Sequence, residues 1–343
     1  MRRLVLGVLL VAGCTHAPQG VSPEPRPDQA HVEHLLRTLA HDSMEGRATA
    51  TPGAERAARF IAAEMKRIGL VPLGDDGYFQ RVPMAIVAST RADRPPRLSS
   101  VASFAVRDTF PAAVRRLGRN VVGMIPGSDD EVSNEVILVM AHYDHLGIRS
   151  PGVDGDSIYN GADDDASGTV AVLEIARALM AGQRPRRTVV FAAMTGEEIG
   201  LVGTRYFIAN PPISLDRVVA GFEIEMIGRP DSLAGGWGKA WLTGYERSTM
   251  GDMLKANGIP IVADPRPDQN FFRRSDNYAF ARMGIVAHTL STFNLHNDYH
   301  RPSDEADAMD FGHMTAVIAA AAEAVGHLAS GPRPAWHAGG KPE

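Results

Sequence analysis

Several apolar stretches of this chain break off into a histidine or a carboxylate, and that repeated pattern narrows the folds open to it. VILVMA runs into HYDHLG at 142–147, and VVFAAMTG into Glu197 and Glu198. FEIEMIG at 222–228 repeats the arrangement, and NGADDDASG at 160–168 leads straight into a helical pattern. HNDYHRPSDE at 296–305 supplies a last set. Strands that stay apolar along their length belong to a sheet covered on both faces. In open α/β sheets the ends of such strands are where ligands bind. Imidazole and carboxylate together suit a borderline cation such as zinc. Two such ions about 3.5–4 Å apart, sharing a carboxylate, form a hydrolytic centre.

The periodicity fills in the rest. Apolar spacing predicts helices over 31–41, 54–68, 168–181, 201–209 and 314–329, the second stopped by Gly69. Strands are predicted over 120–125, 135–141, 187–194, 217–226 and 284–290. Residues 44–53 read as a loop, and 87–116 as irregular strands and loop. Strands alternating with helices imply an α/β class. The expectation is one domain, with a mixed, mostly parallel central sheet between helical layers. With 343 residues, 44% hydrophobic and 22% charged, the chain has ordinary globular composition. Its net charge of -5 leaves no basic footprint for nucleic acid.

The N-terminus reads as a leader. Arg2 and Arg3 precede nine residues of apolar character, Leu4 to Ala12, too few to span a bilayer. The run ends in Val-Ala-Gly-Cys14, which resembles a bacterial lipobox with Cys14 as the lipidated first residue of the mature chain. Cys14 is also the sole cysteine, so no intrachain disulfide can form. Thr15 is not the Asp that usually retains lipoproteins at the inner membrane. The expectation is therefore an exported protein, anchored by lipid to the outer membrane and facing the periplasm. Residues 1–13 would be the signal, 14–30 a Pro-rich tether, 31–330 the folded domain and 331–343 a disordered tail.

Within the motifs, a carboxylate or carbonyl commonly holds the second nitrogen of a ligand histidine. Asp144 is placed to orient His142, while His145 reads as a structural or rim histidine. Three adjacent aspartates, 163–165, would be costly unless something positive sits among them. Adjacent Glu197 and Glu198 can divide the work, one binding metal and the other moving a proton. Competing nucleophiles are missing: there is no G-x-S-x-G elbow and no Walker A loop.

Taken in order, the five pieces resemble the co-catalytic di-zinc aminopeptidase family, which includes bacterial leucyl aminopeptidases and glutamate carboxypeptidase-like enzymes. The likeness runs from DSMEGR at 42–47 to about Asp307. It implies two zinc ions, with His142 on one, Asp164 bridging both, and Glu198 and His300 on the other. Glu197 would be the general base acting on a zinc-bridged water, and the substrates would be peptides. The family's Asp-Met pair after a strand is replaced here by Glu225-Met226, with Glu223 as the rival ligand. His300 sits in Tyr-His-Arg-Pro-Ser-Asp, with His296 as its rival. Tyr299 would donate its phenol to the developing oxyanion, or else pack as an ordinary aromatic. Asp276, in RRSDNYAF, takes a supporting role, since Asn277 stands where the family often has His. The resemblance leaves three alternatives: a glutaminyl-cyclase-like enzyme with one zinc, a carboxypeptidase of the same fold using Arg273 and Arg274, and a metal-free binding lipoprotein.

Overall fold

The computed structural model describes residues 26–89, 93, 95–153 and 155–343. Cys14 and the leader lie outside the described residues. The strands are β1 (Val71–Pro72), β2 (Phe79–Val87), β3 (Arg97–Ser100), β4 (Arg115–Ile125), β5 (Val136–His142), β6 (Gly147–Val153), β7 (Asp156–Tyr159), β8 (Thr188–Met194), β9 (Val218–Ile224), β10 (Ala240–Leu242), β11 (Ile261–Ala263) and β12 (Ala287–Ser291). The helices are α1 (Gln29–Leu39), α2 (Pro52–Ile68), α3 (Phe104–Asp108), α4 (Gly168–Ala181), α5 (Val202–Ala209), α6 (Thr249–Ala256), α7 (Asn277–Arg282) and α8 (Phe311–Ser330).

Among the described residues, ten strands form one mixed sheet in the order β11-β10-β12-β9-β5-β8-β4-β2-β3, with β1 paired to β4. The four central strands β12, β9, β5 and β8 are parallel. An antiparallel arm of β4, β2 and β3 completes one edge. Strands β6 and β7 pair as a separate hairpin. The apolar runs have a plain cause. Along β5, Ile137, Val139 and Ala141 enter a core beneath α1, α2, α4 and α8. The alternate residues Val136, Leu138 and Met140 enter a second core with Phe207 of α5 and Phe280 of α7. Both faces of β5 are buried, so no position on it is free to be polar until His142 at its end.

The strand order reverses beside β5: β8 follows it on one side, whereas β9 and β12 lie on the other, all four running parallel. A crevice opens at the carboxyl ends of strands at such a switch point. Helix α4 starts there. Its first residue, Gly168, passes so close to the Ile224 carbonyl that an added Cβ would collide with it. That contact brings the aspartate turn up against the end of β9.

The structure differs from the sequence expectation in several places. Among the described residues, 87–116 contain an ordered strand, a short helix and the first two residues of β4. The tail at 331–343 is laid against the body rather than disordered. Trp336 donates its indole N–H to the Gly284 carbonyl at 2.9 Å, and the N–H groups of Ala335 and His337 bond to Thr249 and Arg247. Backbone bonds and one aromatic anchor fix a segment whose composition alone carries no periodic signal. Among the described residues, no helix is long and apolar enough to cross a membrane.

Candidate metal centre

The three aspartates before α4 do three different things. Asp163 accepts the Gly228 N–H at 2.7 Å and is held by His296 Nε2 at 3.0 Å. Asp165 accepts the N–H groups of Gly168 and Met226 at 2.9 and 3.1 Å. Both therefore tie the turn to the segment that follows β9. Asp164 alone projects outward, its backbone N–H held by Asp304 at 3.1 Å. Asp164 Oδ1 lies 3.3 Å from His142 Nε2, and Oδ2 lies 3.1 Å from His300 Nε2.

Two groups of ligand-type atoms share Asp164. His142, Asp164 and Glu225 form one, and His145, Asp164 and Glu198 the other, with all atoms of each group within 4.8 Å of one another. His300 Nε2 borders the second group, 3.3 Å from Glu198 Oε2. The rivals stand aside. Glu223 is filled by donors, accepting from Ser275 Oγ, Thr289 Oγ1 and the N–H groups of Asp276 and Asn277 at 2.6–3.2 Å. A carboxylate so occupied has little left for a cation. His296 is used on Asp163. His145, read from sequence as structural or at the rim, is only 2% exposed and lies inside the second group.

The supporting contacts are specific. His142 Nδ1 donates to the Asp144 main-chain carbonyl at 3.1 Å, so Asp144 orients the ring through its backbone. The Asp144 carboxylate instead accepts Thr49 Oγ1 at 2.8 Å and the Glu197 N–H at 3.1 Å, fixing the start of the Glu197-Glu198 turn. Asp276 is fully buried behind Glu223, and burial with that neighbour lifts its carboxyl to about 8. Arg47 was not legible as a site residue. It is fully buried and donates to the carbonyls of Leu39, Tyr143, Asn160 and Gly161 at 2.6–2.8 Å. It thus clamps the HYD and ADDD turns together, at the cost of burial that pulls its pKa down to about 10.

The electrostatics suit a cation. Burial lifts Glu197 well above the ordinary glutamate range, with Glu225, Asp276 and Glu198 adding to the shift against the pull of His142. Burial and Glu223 push Glu225 to about 8. Burial alone would depress His142, but Asp164, Glu197 and Asp165 outweigh it and raise that imidazole well above its usual range. His142 Nε2, both ring nitrogens of His145, and Glu198 Oε1 are buried with no hydrogen-bond partner. Buried polar atoms left open are rare without a reason. Facing histidines and carboxylates left open together form the donor set that zinc takes.

Residues 120–325 match the sequence pattern of peptidase family M28. The chain belongs to that family. A protein named probable zinc metalloprotease from Leptosphaeria maculans is 30% identical over 200 residues, covering 58% of this chain and 40% of that relative. The M28 chain thus matches less than half the length of that relative. In fold it is similar to an aminopeptidase from Aneurinibacillus sp. strain AM-1, with a TM-score of 0.62 at 16% identity, covering 90% of this chain and 95% of the other. It is also similar to a glutaminyl cyclase of Bacteroides thetaiotaomicron, with a TM-score of 0.58 at 16% identity and coverage of 88% and 98%.

In this M28 chain Asp164, Glu197, Glu225 and His300 open into a cleft walled by Met226, Trp241, Phe271, Phe293 and Tyr299. Tyr299 stacks on the His300 ring at 3.9 Å between centroids and packs against Phe293. Arg274 sits at the rim over the Phe271 ring, and Arg273 leans on Tyr278 instead. A larger concavity of about 500 Å³ lies elsewhere, among Arg107, Arg115, Arg116 and Arg119, and touches none of these acids.

Proposed function

We propose that the chain is a zinc aminopeptidase that removes N-terminal residues from peptides, with two zinc ions held by His142, Asp164, Glu198, Glu225 and His300. The observation that carries this is the pair of ligand groups sharing Asp164 at the mouth of an aromatic cleft, with Glu197 beside them. Zinc would polarise the scissile carbonyl and activate a water. Glu197 would take the proton from that water and pass it to the leaving amine. Its N–H is held by Asp144, which leaves the carboxylate to work from a fixed backbone. Tyr299, neutral and stacked on His300, would donate its hydroxyl to the developing oxyanion. The aromatic wall would take an apolar first side chain.

One observation favours a second reading. Arg274 lines the same cleft, and a guanidinium there suits a substrate carboxylate, as a carboxypeptidase of this fold would need. A peptide panel assayed with zinc present separates the readings. The aminopeptidase reading expects turnover of free-amine peptides, loss of turnover on acyl blocking, and indifference to C-terminal amidation. Cleavage of blocked peptides that amidation abolishes would establish the carboxypeptidase instead. Ammonia release from N-terminal Gln without hydrolysis would establish a cyclase. Anchoring through acylated Cys14 in the outer membrane is part of the same proposal and rests on the leader sequence.

A further inference from the structure

We infer that His145 is a ligand of the second zinc position, so that Glu198 and Asp164 share that position with two imidazoles, His145 Nδ1 and His300 Nε2. The inference rests on the di-zinc reading above and goes beyond it, because the five-ligand set gives each position a single histidine.

The geometry around His145 is that of a ligand and not of a packed ring. Nδ1 lies 2.8 Å from Glu198 Oε1 and 3.8 Å from Asp164 Oδ2. His300 Nε2 lies 3.1 Å and 3.3 Å from the same two carboxylates. Zinc bonds of about 2.0–2.1 Å place tetrahedral ligands roughly 3.3–3.4 Å apart, and these four separations straddle that value. His145 Nδ1 and Glu198 Oε1 lie at ion-pair distance, but neither atom has a well-aligned hydrogen bond. They stand side by side, as two donors to a common centre do. The rings of His145 and His300 meet edge to face, 5.6 Å between centroids.

A second buried histidine in the same chain shows what structural service looks like. His288 is fully buried and uses both nitrogens, one on Ser248 Oγ and one on the Thr243 carbonyl, each at 2.7 Å. His145 is buried as well, yet its Nε2 has no partner and its Nδ1 faces only the carboxylates of Glu198 and Asp164. The local backbone is shaped around it as well. Gly161 has φ +54°, and a Cβ there would run into the His145 ring. That residue also offers its carbonyl to Arg47, so one clamp fixes the ring's neighbour on both sides.

The consequence is an asymmetric pair. The second position would have four protein donors, two of them nitrogen. The first, with His142, Asp164 and Glu225, would keep an open coordination position facing the cleft. Nitrogen-rich sites hold zinc, copper or nickel, whereas carboxylate-rich sites also accept manganese and magnesium.

The test is zinc titration of the chelator-stripped full chain by calorimetry, with wild type and His145→Ala compared, and a crystal structure of wild type grown with zinc. Wild type should bind two zinc ions in two resolved steps. His145→Ala should weaken the tighter step by at least about 10–100-fold, the cost of losing even a supporting residue of a metal site. In the zinc-bound structure His145 Nδ1 should lie about 2.0–2.1 Å from the ion next to Glu198. Two unaltered steps in His145→Ala would overturn the inference while leaving the di-zinc reading intact. A His145 ring turned away from the ion would do the same, and would decide the matter even if the variant failed to fold. Fewer than two zinc ions in wild type would sink the di-zinc reading and this inference with it.

Discussion

Two buried acidic clusters touch helix α4, and they are built on opposite principles. Along the helix, Glu174 is bonded to His31 Nδ1 at 2.9 Å and Arg177 Nε at 3.0 Å, and Glu64 is paired with Arg67. Each carboxylate there has a cation of its own, and Arg177 is 37% exposed, so its charge is also wet. Just before the helix, Asp164 and Glu198 face only histidines. The first cluster is neutral when the chain folds and braces α1, α2 and α4. The second has one buried guanidinium nearby, Arg47, whose donors all go to main-chain carbonyls, so its carboxylates are paired directly only with imidazoles. Buried charge without a partner is costly, so a fold that gathers it at a strand-end crevice holds a binding site rather than a brace.

That contrast is easiest to break at the shared residue. Asp164→Asn should empty both positions, with bound zinc falling from two to near zero. Activity should fall at least as far as loss of a general base would take it, about 10²–10⁴-fold. Zinc retained at two by mass spectrometry of metal content would show that Asp164 bridges nothing. Next in size is the clamp. In Arg47→Met four buried carbonyls lose their donor at about 1 kcal/mol or more each, so denaturant unfolding should show a loss on the order of 3–5 kcal/mol. A loss below about 1 kcal/mol would mean that the HYD and ADDD turns are held by other contacts.

On the brace side the effect should be smaller and of a different kind. Glu174→Gln should cost about 1–2 kcal/mol of stability, since its partners can turn to water. Zinc content and kcat should not change. A drop in bound zinc would erase the distinction between the two clusters. Smallest of all is Cys14→Ser, expected to leave kcat/KM of the folded enzyme untouched while moving it from the membrane fraction to the soluble one. An unchanged membrane fraction, with no lipid found by mass spectrometry, would remove the anchor.

The parts of the fold that the sequence made legible are those with long runs. Helix α4 is observed over the residues its apolar spacing predicts, and β5 and β8 lie within a residue or two of expectation. Strands β10 and β11 are three residues each and too short for any period to emerge. The β6–β7 hairpin and the packed tail depend on partners distant in sequence. At the candidate site, residues at strand ends were visible because apolar runs stop there. Arg47 and Asp304 were not, because each acts through main-chain atoms of other segments, which leave no trace in side-chain pattern. His145 reads from sequence as structural or at the rim, because a His three residues from another His is usually incidental, whereas the structure buries it beside Asp164 and Glu198.

The central claim is that one of two neighbouring glutamates moves protons while the other holds metal. Paired measurement of kcat and bound zinc in Glu197→Gln and Glu198→Gln tests it most directly. Glu197→Gln should keep two zinc ions and lose about 10²–10⁴-fold in kcat. Glu198→Gln should lose zinc and regain part of its activity when zinc is in excess. Near-normal turnover in Glu197→Gln, or zinc loss there with none in Glu198→Gln, would contradict it.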